Sequence, residues 1–240
     1  MLNNIKLENI LFLDIETVPQ YPDFESVPED FQHLWKKKSE FFRSEEQTAG
    51  DVYERAGIYA EFGKIVCISV GLVNVKNNQK FLRLKSFYGD DENNLLKEFT
   101  GMLSTFSAKR DVLLCAHNGK EFDYPYIARR CIINGIELPD VLNIAGKKPW
   151  EVRHLDTLEL WKFGDYKNYT SLNLLVSVFG LPSPKDDIDG SKVAYVYWKE
   201  KDIKRISKYC EKDVLAIVQL FLKYRIEDII PEENIESVTN

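Results

Sequence analysis

The chain of 240 residues has few cysteines, no long apolar run and no surplus of positive charge, and each shortage removes a class of protein. Cys67, Cys115, Cys131 and Cys210 show no Cys-x-x-Cys spacing and sit in or beside apolar runs. Free buried thiols in a reducing compartment follow, with the cytoplasm as the expected location. The longest nearly apolar stretch, Ile65 to Val73, holds a serine and a glycine and is less than half a membrane span, so no membrane partner is expected. Met1 to Asn9 is polar and the apolar run after it stops at Asp14, unlike a secretory signal. Thirty-two basic against 38 acidic residues give a net charge of -6, the opposite of the basic footprint of a protein that coats nucleic acid. A polyanionic substrate must therefore be held locally, by a few side chains or by metal ions. What the chain does have is 44% hydrophobic and 29% charged residues, a globular balance that excludes disordered, collagen-like and coiled-coil chains.

At roughly 150 residues per domain, the length favours one large domain over residues 1–240, able to build a core without disulfides or zinc. Ile10 to Val18 is a short run of apolar and β-branched residues stopped by Pro19 and reads as a buried strand. Residues 20–62, rich in aromatics and acids, read as a partly helical insertion. Ile65 to Asn74 and Phe81 to Tyr88 read as strands joined by a tight turn at Asn77-Asn78, because asparagine tolerates positive φ. Apolar positions from Glu92 to Phe106 follow one helical face. A buried strand over Val112 to Ala116, a helix over Tyr126 to Ile133 ended by Asn134-Gly135, a strand at His154 to Thr157, a helix over Ser171 to Phe179 and a long helix from Asp202 to Tyr224 complete the pattern. The sum is an α/β fold, a mixed sheet whose first strands are antiparallel, flanked by helices.

Three groups of residues carry candidate chemistry. In Asp14-Ile15-Glu16, strand geometry sends both carboxylates to one face at the end of a buried strand, where unpaired charges about 5 to 7 Å apart repel unless a cation or an open cleft relieves them. A second Asp-x-Glu, Asp90-Asp91-Glu92, reads as a surface loop. Asp123, in His117-Asn118-Gly119-Lys120-Glu121-Phe122-Asp123-Tyr124-Pro125-Tyr126, stands where a strand turns into a helix, the edge at which α/β proteins place ligands; it reads equally as a helix N-cap. Tyr209 and Asp213 lie one turn apart in the stripe Ile206, Tyr209, Asp213, Ala216, Ile217, Leu220, and an inward aspartate needs a partner or a metal.

An Asp-x-Glu strand, an Asn-x-x-x-Phe-Asp-x-Pro-Tyr segment and a Tyr-Cys-x-Lys-Asp helix, in that order, resemble the three motifs of the tyrosine-bearing branch of DEDD exonucleases. They are most similar to the proofreading domain of family B DNA polymerases. The segment Leu181 to Ser191 looks like that of the stand-alone bacterial PolB-like exonucleases. The resemblance spans residues 10 to about 224 and implies a ribonuclease H-like fold with a 3′–5′ exonuclease site. It implies that Asp14, Glu16, Asp123 and Asp213 bind two Mg²⁺ ions, for which Mn²⁺ can substitute, in a two-metal hydrolysis of single-stranded DNA, or RNA, from the 3′ end to 5′-mononucleotides. Asp14 would bridge the ions, Tyr209 would orient the attacking water, and Thr17, Asn118 and Phe122 would contact substrate. Four carboxylates with no Cys or His set suit hard cations in preference to zinc.

The neighbours have plainer readings beside these. Phe122 suits base stacking or the core; His117 reads as structural, and Asp156 as the cap of the next helix. The Lys36 to Lys38 run reads as a solvated face, and Lys147, Lys148 and Arg153 around Trp150 as a candidate strand-guiding patch. Tyr197 and Trp198, on the penultimate helix, read as core. Two other functions fit the same residues: hydrolysis of small phosphoesters or nucleotides, and a catalytically silent nucleic-acid-binding module.

Overall fold

The central strand of the sheet is the one that carries the Asp-x-Glu pair. In a computed structural model that describes residues 2–108, 110–165, 169–182 and 187–239, strand β1 (Ile10–Pro19) lies third in a six-stranded sheet. The sheet runs β5 (Leu155–Asp156), β4 (Leu113–Ala116), β1, β2 (Gly63–Lys76), β3 (Gln79–Tyr88), β6 (Ile235–Ser237). β1 pairs antiparallel with β2 and β2 antiparallel with β3, while β4 runs parallel to β1, β5 parallel to β4 and β6 parallel to β3. The β2–β3 turn has Asn77 and Asn78 at φ 49° and 61°, the double left-handed conformation whose twist matches a hairpin.

The helices are α1 (Glu29–Ser39), α2 (Glu92–Ser107), α3 (Asp123–Ile133), α4 (Thr157–Lys162), α5 (Leu172–Val178), α6 (Val193–Tyr195), which runs into a π-helical turn at Val196–Glu200, and α7 (Ile203–Tyr224). Alternate residues of β1 divide between two layers. Leu11, Leu13 and Ile15 pack with Leu96 and Phe99 of α2 and Ile127 of α3. Ile10 and Phe12 pack with Val214, Ile217 and Phe221 of α7, the rings of Phe12 and Phe221 meeting edge to face at 5.5 Å. By the same alternation Asp14 and Glu16 point toward α7. All four cysteines are buried free thiols. Tyr197 is buried and Trp198 half-buried beside it, as expected of core residues. Among the described residues no helix is long and apolar enough to cross a membrane. Residues 183–186 of the Leu181 to Ser191 segment lie outside the described residues.

The insertion holds α1, a 3-10 turn over Tyr53–Ile58, and a small core of its own around Trp35, whose indole N–H donates to the Ala49 carbonyl at 2.8 Å. Its end docks tightly on β1: a Cβ on Gly57 would sit 3.2 Å from the Pro19 ring and from the Val18 backbone.

Two readings need correction. The Asp90-Asp91-Glu92 loop is exposed only in its first two residues. Asp91 caps α2 through the Asn94 N–H, but Glu92 is buried and pairs with buried Arg130 at 2.9 Å (Nε) and 2.5 Å (Nη2), while also accepting from the Ile65 N–H at 2.7 Å. The charge is tolerated inside because every lone-pair direction meets a donor. Helix α3 begins at Asp123, three residues earlier than its apolar pattern suggests, because Pro125 falls in the first turn, where its missing N–H costs nothing.

Candidate active site

The end of β1 brings the two carboxylates against α7, since the stripe that buries Ile206, Ile217 and Leu220 also turns Tyr209, Cys210 and Asp213 toward the sheet. The Cys210 thiol donates to the Asp14 carbonyl at 3.4 Å and to Asp14 Oδ2 at 3.5 Å. Donor atoms of Asp14, Glu16 and Cys210 all lie within 4.8 Å of one another. This amends the expectation of a purely oxygen environment. A thiol stands beside the pair, and the sequence hid it because cysteine in an apolar stripe reads as core. Glu16 is only 8% exposed, yet no described residue donates a hydrogen bond to it. No buried side-chain oxygen among the described residues lacks a partner, so the Glu16 oxygens open to the groove beside them, and aspartate and glutamate oxygens are hard ligands that fit a divalent ion.

Asp123 is not the N-cap. That position belongs to Phe122, and Asp123 is the first helical residue, where negative charge is favoured. The backbone N–H groups of Asp123 itself and of Ile15, which lies between the two strand acids, favour its charged form against the effect of burial. Asp213 acts on both Asp14 and Glu16 as the strongest neighbouring charge. Burial first, and then mutual repulsion, pushes Asp14 and Glu16 well above the ordinary carboxylate range. Burial, with Asp156 and Asp213 nearby, lifts Asp123 to about 7. The Tyr209 hydroxyl hydrogen-bonds Asp213, and burial with the adjoining negative charge raises its pKa further, so it stays a neutral phenol at physiological pH.

The support around these groups is built from the second motif. Asp156 caps α4 through the N–H of Leu158 at 2.9 Å, as expected, and also accepts from the N–H of Asn118 at 2.9 Å and of Lys120 at 3.1 Å. One carboxylate thus pins the loop that leads to Asp123, in which Asn118 takes a left-handed φ of 65°. His117 is structural: Nδ1 meets Thr157 Oγ1 at 2.9 Å and Nε2 meets the Thr170 carbonyl at 3.0 Å.

A groove of about 460 Å³ opens beside the cluster, lined by Glu16, Thr17 and Phe122 among others. The half-buried ring of Phe122 packs 5.3 Å from that of Tyr126 and also lines the groove. Asn118 is not among the lining residues. Lys147 and Arg153 lie elsewhere, on a cavity with Arg110, Asp111 and Val112 before the start of β4, at the opposite end of that strand from the carboxylates. Arg153 is paired there with Asp111 at 2.7 Å, and Lys148 lies over the exposed ring of Trp150. Lys36 and Lys38 lie over the rings of Phe24 and Tyr59 and so cover the insertion's aromatic core.

A mixed sheet opened by an antiparallel hairpin and flanked by helices, with carboxylates gathered at the end of its central strand, is the architecture of the ribonuclease H-like exonucleases. Residues 58–237 match a family described as predicted 3′–5′ exonucleases related to the exonuclease domain of PolB, and the chain belongs to that family. The matched span includes Asn118, Phe122, Asp123, Tyr209 and Asp213. Asp14 and Glu16 fall before it and are joined to the site by the fold.

Proposed function

We propose that the protein is a divalent-metal-dependent exonuclease that removes 5′-mononucleotides from the 3′ end of single strands, with DNA ahead of RNA. The observation that carries this reading is the buried acidic cluster, above all Glu16, which no described residue neutralises or donates to. Asp14, Glu16, Asp123 and Asp213 are the residues to hold the ions. Bound divalent ions supply Lewis acidity for the nucleophile and for the oxygens of an in-line phosphoryl displacement.

The chain's own groups do the positioning. Tyr209, a neutral phenol, has a proton to donate and no capacity as a base, so its part is to orient the attacking water by a hydrogen bond. Phe122 offers an aromatic face to a base without reading its identity, and Thr17 lines the same groove. An aromatic wall next to the acids favours a nucleic-acid end over a bare phosphoester.

The test is digestion of end-labelled single-stranded DNA and RNA, linear and circular, with Mg²⁺ and with chelator. Stepwise release of mononucleotides from the 3′ end of linear strands, abolished by chelator, is the expected result. Cutting of a circular strand would replace the proposal with an endonuclease, and equal rates on a dinucleotide and a twenty-mer would replace it with a nucleotidase.

A further inference from the structure

The insertion after β1 supplies one side of the groove, and its contribution is a cation. Beside Glu16, Thr17 and Phe122, the lining includes Arg55 and Ile58 from the 3-10 turn. Arg55 is the one positively charged residue among the described lining, and no described carboxylate pairs with it. Its guanidinium lies 4.3 Å from the ring centroid of Phe42. Stacking occupies the face of a guanidinium and leaves its N–H edge free for a phosphate. Ile58 leaves half of its apolar surface open in the same groove.

The turn that carries them is fixed to the catalytic layer. Gly57 abuts Pro19 so closely that an added Cβ would be 3.2 Å from its ring, the Tyr126 hydroxyl donates to the Gly57 carbonyl at 2.7 Å, and Arg130 Nη1 donates to the Ala60 carbonyl at 2.8 Å. Tyr126 is also the ring against which Phe122 rests. Both sides of the groove are therefore set by one helix, α3. Farther along the insertion, the adjoining cavity is lined by Asp23, Glu25, Asp51 and Glu54 with Lys199 as its one cation among the described lining.

Taking the exonuclease reading as given, we propose that Arg55 holds the phosphate next to the scissile one at the 3′ end of a single strand, with Ile58 and Phe122 receiving the terminal bases. A strand approaching four carboxylates on a chain of net charge -6 needs a local counter-charge, and Arg55 supplies it where the strand enters. Arg55 lies outside the span matched to the family, so the assignment belongs to this chain's own insertion.

Two readouts test it. The first is the KM of the Mg²⁺-loaded enzyme on a dinucleotide, a trinucleotide and a twelve-mer. The second is fluorescence anisotropy of a labelled single-stranded twelve-mer bound to the Asp14→Asn protein at several salt concentrations. Arg55→Ala should raise KM roughly 10- to 30-fold on the two longer substrates and less on the dinucleotide, which has no second phosphate. It should also lower the log–log salt slope of binding by about 0.7, the share of one single-strand phosphate contact. Arg55→Lys should recover most of both. Unaltered KM and salt slope in Arg55→Ala, with the wild type active, would overturn the assignment and leave the exonuclease reading standing. Equal losses in the alanine and lysine variants together with a lower melting temperature would reduce Arg55 to a packing residue of the insertion. Wild type that releases no nucleotide from any of the three substrates would defeat the exonuclease reading, and the assignment with it.

Discussion

Tyr209 and Asp213 face the same carboxylates from one helix, but their chemistry separates them. Asp213 is a charge felt by both strand acids, whereas Tyr209 is a neutral hydroxyl bonded to Asp213. Removing the hydroxyl takes away one hydrogen bond and no ligand. Tyr209→Phe should therefore keep the metal-induced rise in melting temperature while losing roughly 10- to 1000-fold in rate. Asp213→Ala should lose more and also blunt the thermal response to metal. Equal rate losses with equal metal responses would show this division of roles to be mistaken. At this scale the sequence carried most of the site: period two placed Asp14 with Glu16, and a four-residue step placed Tyr209 with Asp213. What it hid were residues of ordinary appearance. Cys210 reads as core until its thiol is seen on Asp14, and Glu92 follows two exposed acids that disguise its burial.

Between elements, the Glu92–Arg130 pair is a buried joint. It links the first residue of α2 to α3, takes the Ile65 N–H of β2, and through Arg130 reaches the Ala60 carbonyl of the insertion. Asn134 adds a further donor to Glu92 at 3.1 Å. Such a pair need not stabilise more than apolar residues would, but breaking it strands a buried guanidinium. Glu92→Ala should cost about 3 to 5 kcal/mol in urea unfolding, well above a surface glutamate such as Glu98. A loss below about 1 kcal/mol would mean that water replaces the carboxylate at little cost. The elements themselves were readable where they were long. β1, the hairpin, α2 and α7 emerge within a residue or two, because each presents several periods of its pattern. The two-residue β5 lies inside the strand read at His154 to Thr157, whereas β6 with three residues and α4 with six are too short for periodicity to declare itself, and β6 forms on the free edge that β3 offers it. The start of α3 escaped the apolar pattern for another reason, since its first turn, Asp123 to Pro125, lies ahead of the apolar repeat that begins at Tyr126.

For the molecule as a whole, the acidic cluster trades stability for function, and pH exposes the trade. An aspartate normally ionises near 3.8, but burial and the charges of Asp156 and Asp213 hold Asp123 at about 7. Between those values the folded protein keeps a proton that the unfolded chain has released, so stability must fall as pH rises through that window. Below it both states are protonated; above it both are ionised, and the penalty stays constant. Asp14 and Glu16 are raised in the same direction and deepen the fall. This is the reverse of a salt-bridged aspartate, which strengthens a fold as it ionises. Without metal, the melting temperature should therefore decline from pH 5 to pH 7, and Asp123→Asn should flatten part of that decline. Millimolar Mg²⁺ or Mn²⁺ should raise the melting temperature, and more at pH 8 than at pH 5, where protons compete for the same oxygens. Asp14→Asn should weaken the metal response at both. A wild-type melting curve that metal leaves unmoved at pH 8, or one that climbs steadily between pH 5 and pH 7 without metal, would mean that the four carboxylates are neutralised by some other means and that the cluster is not a cation site.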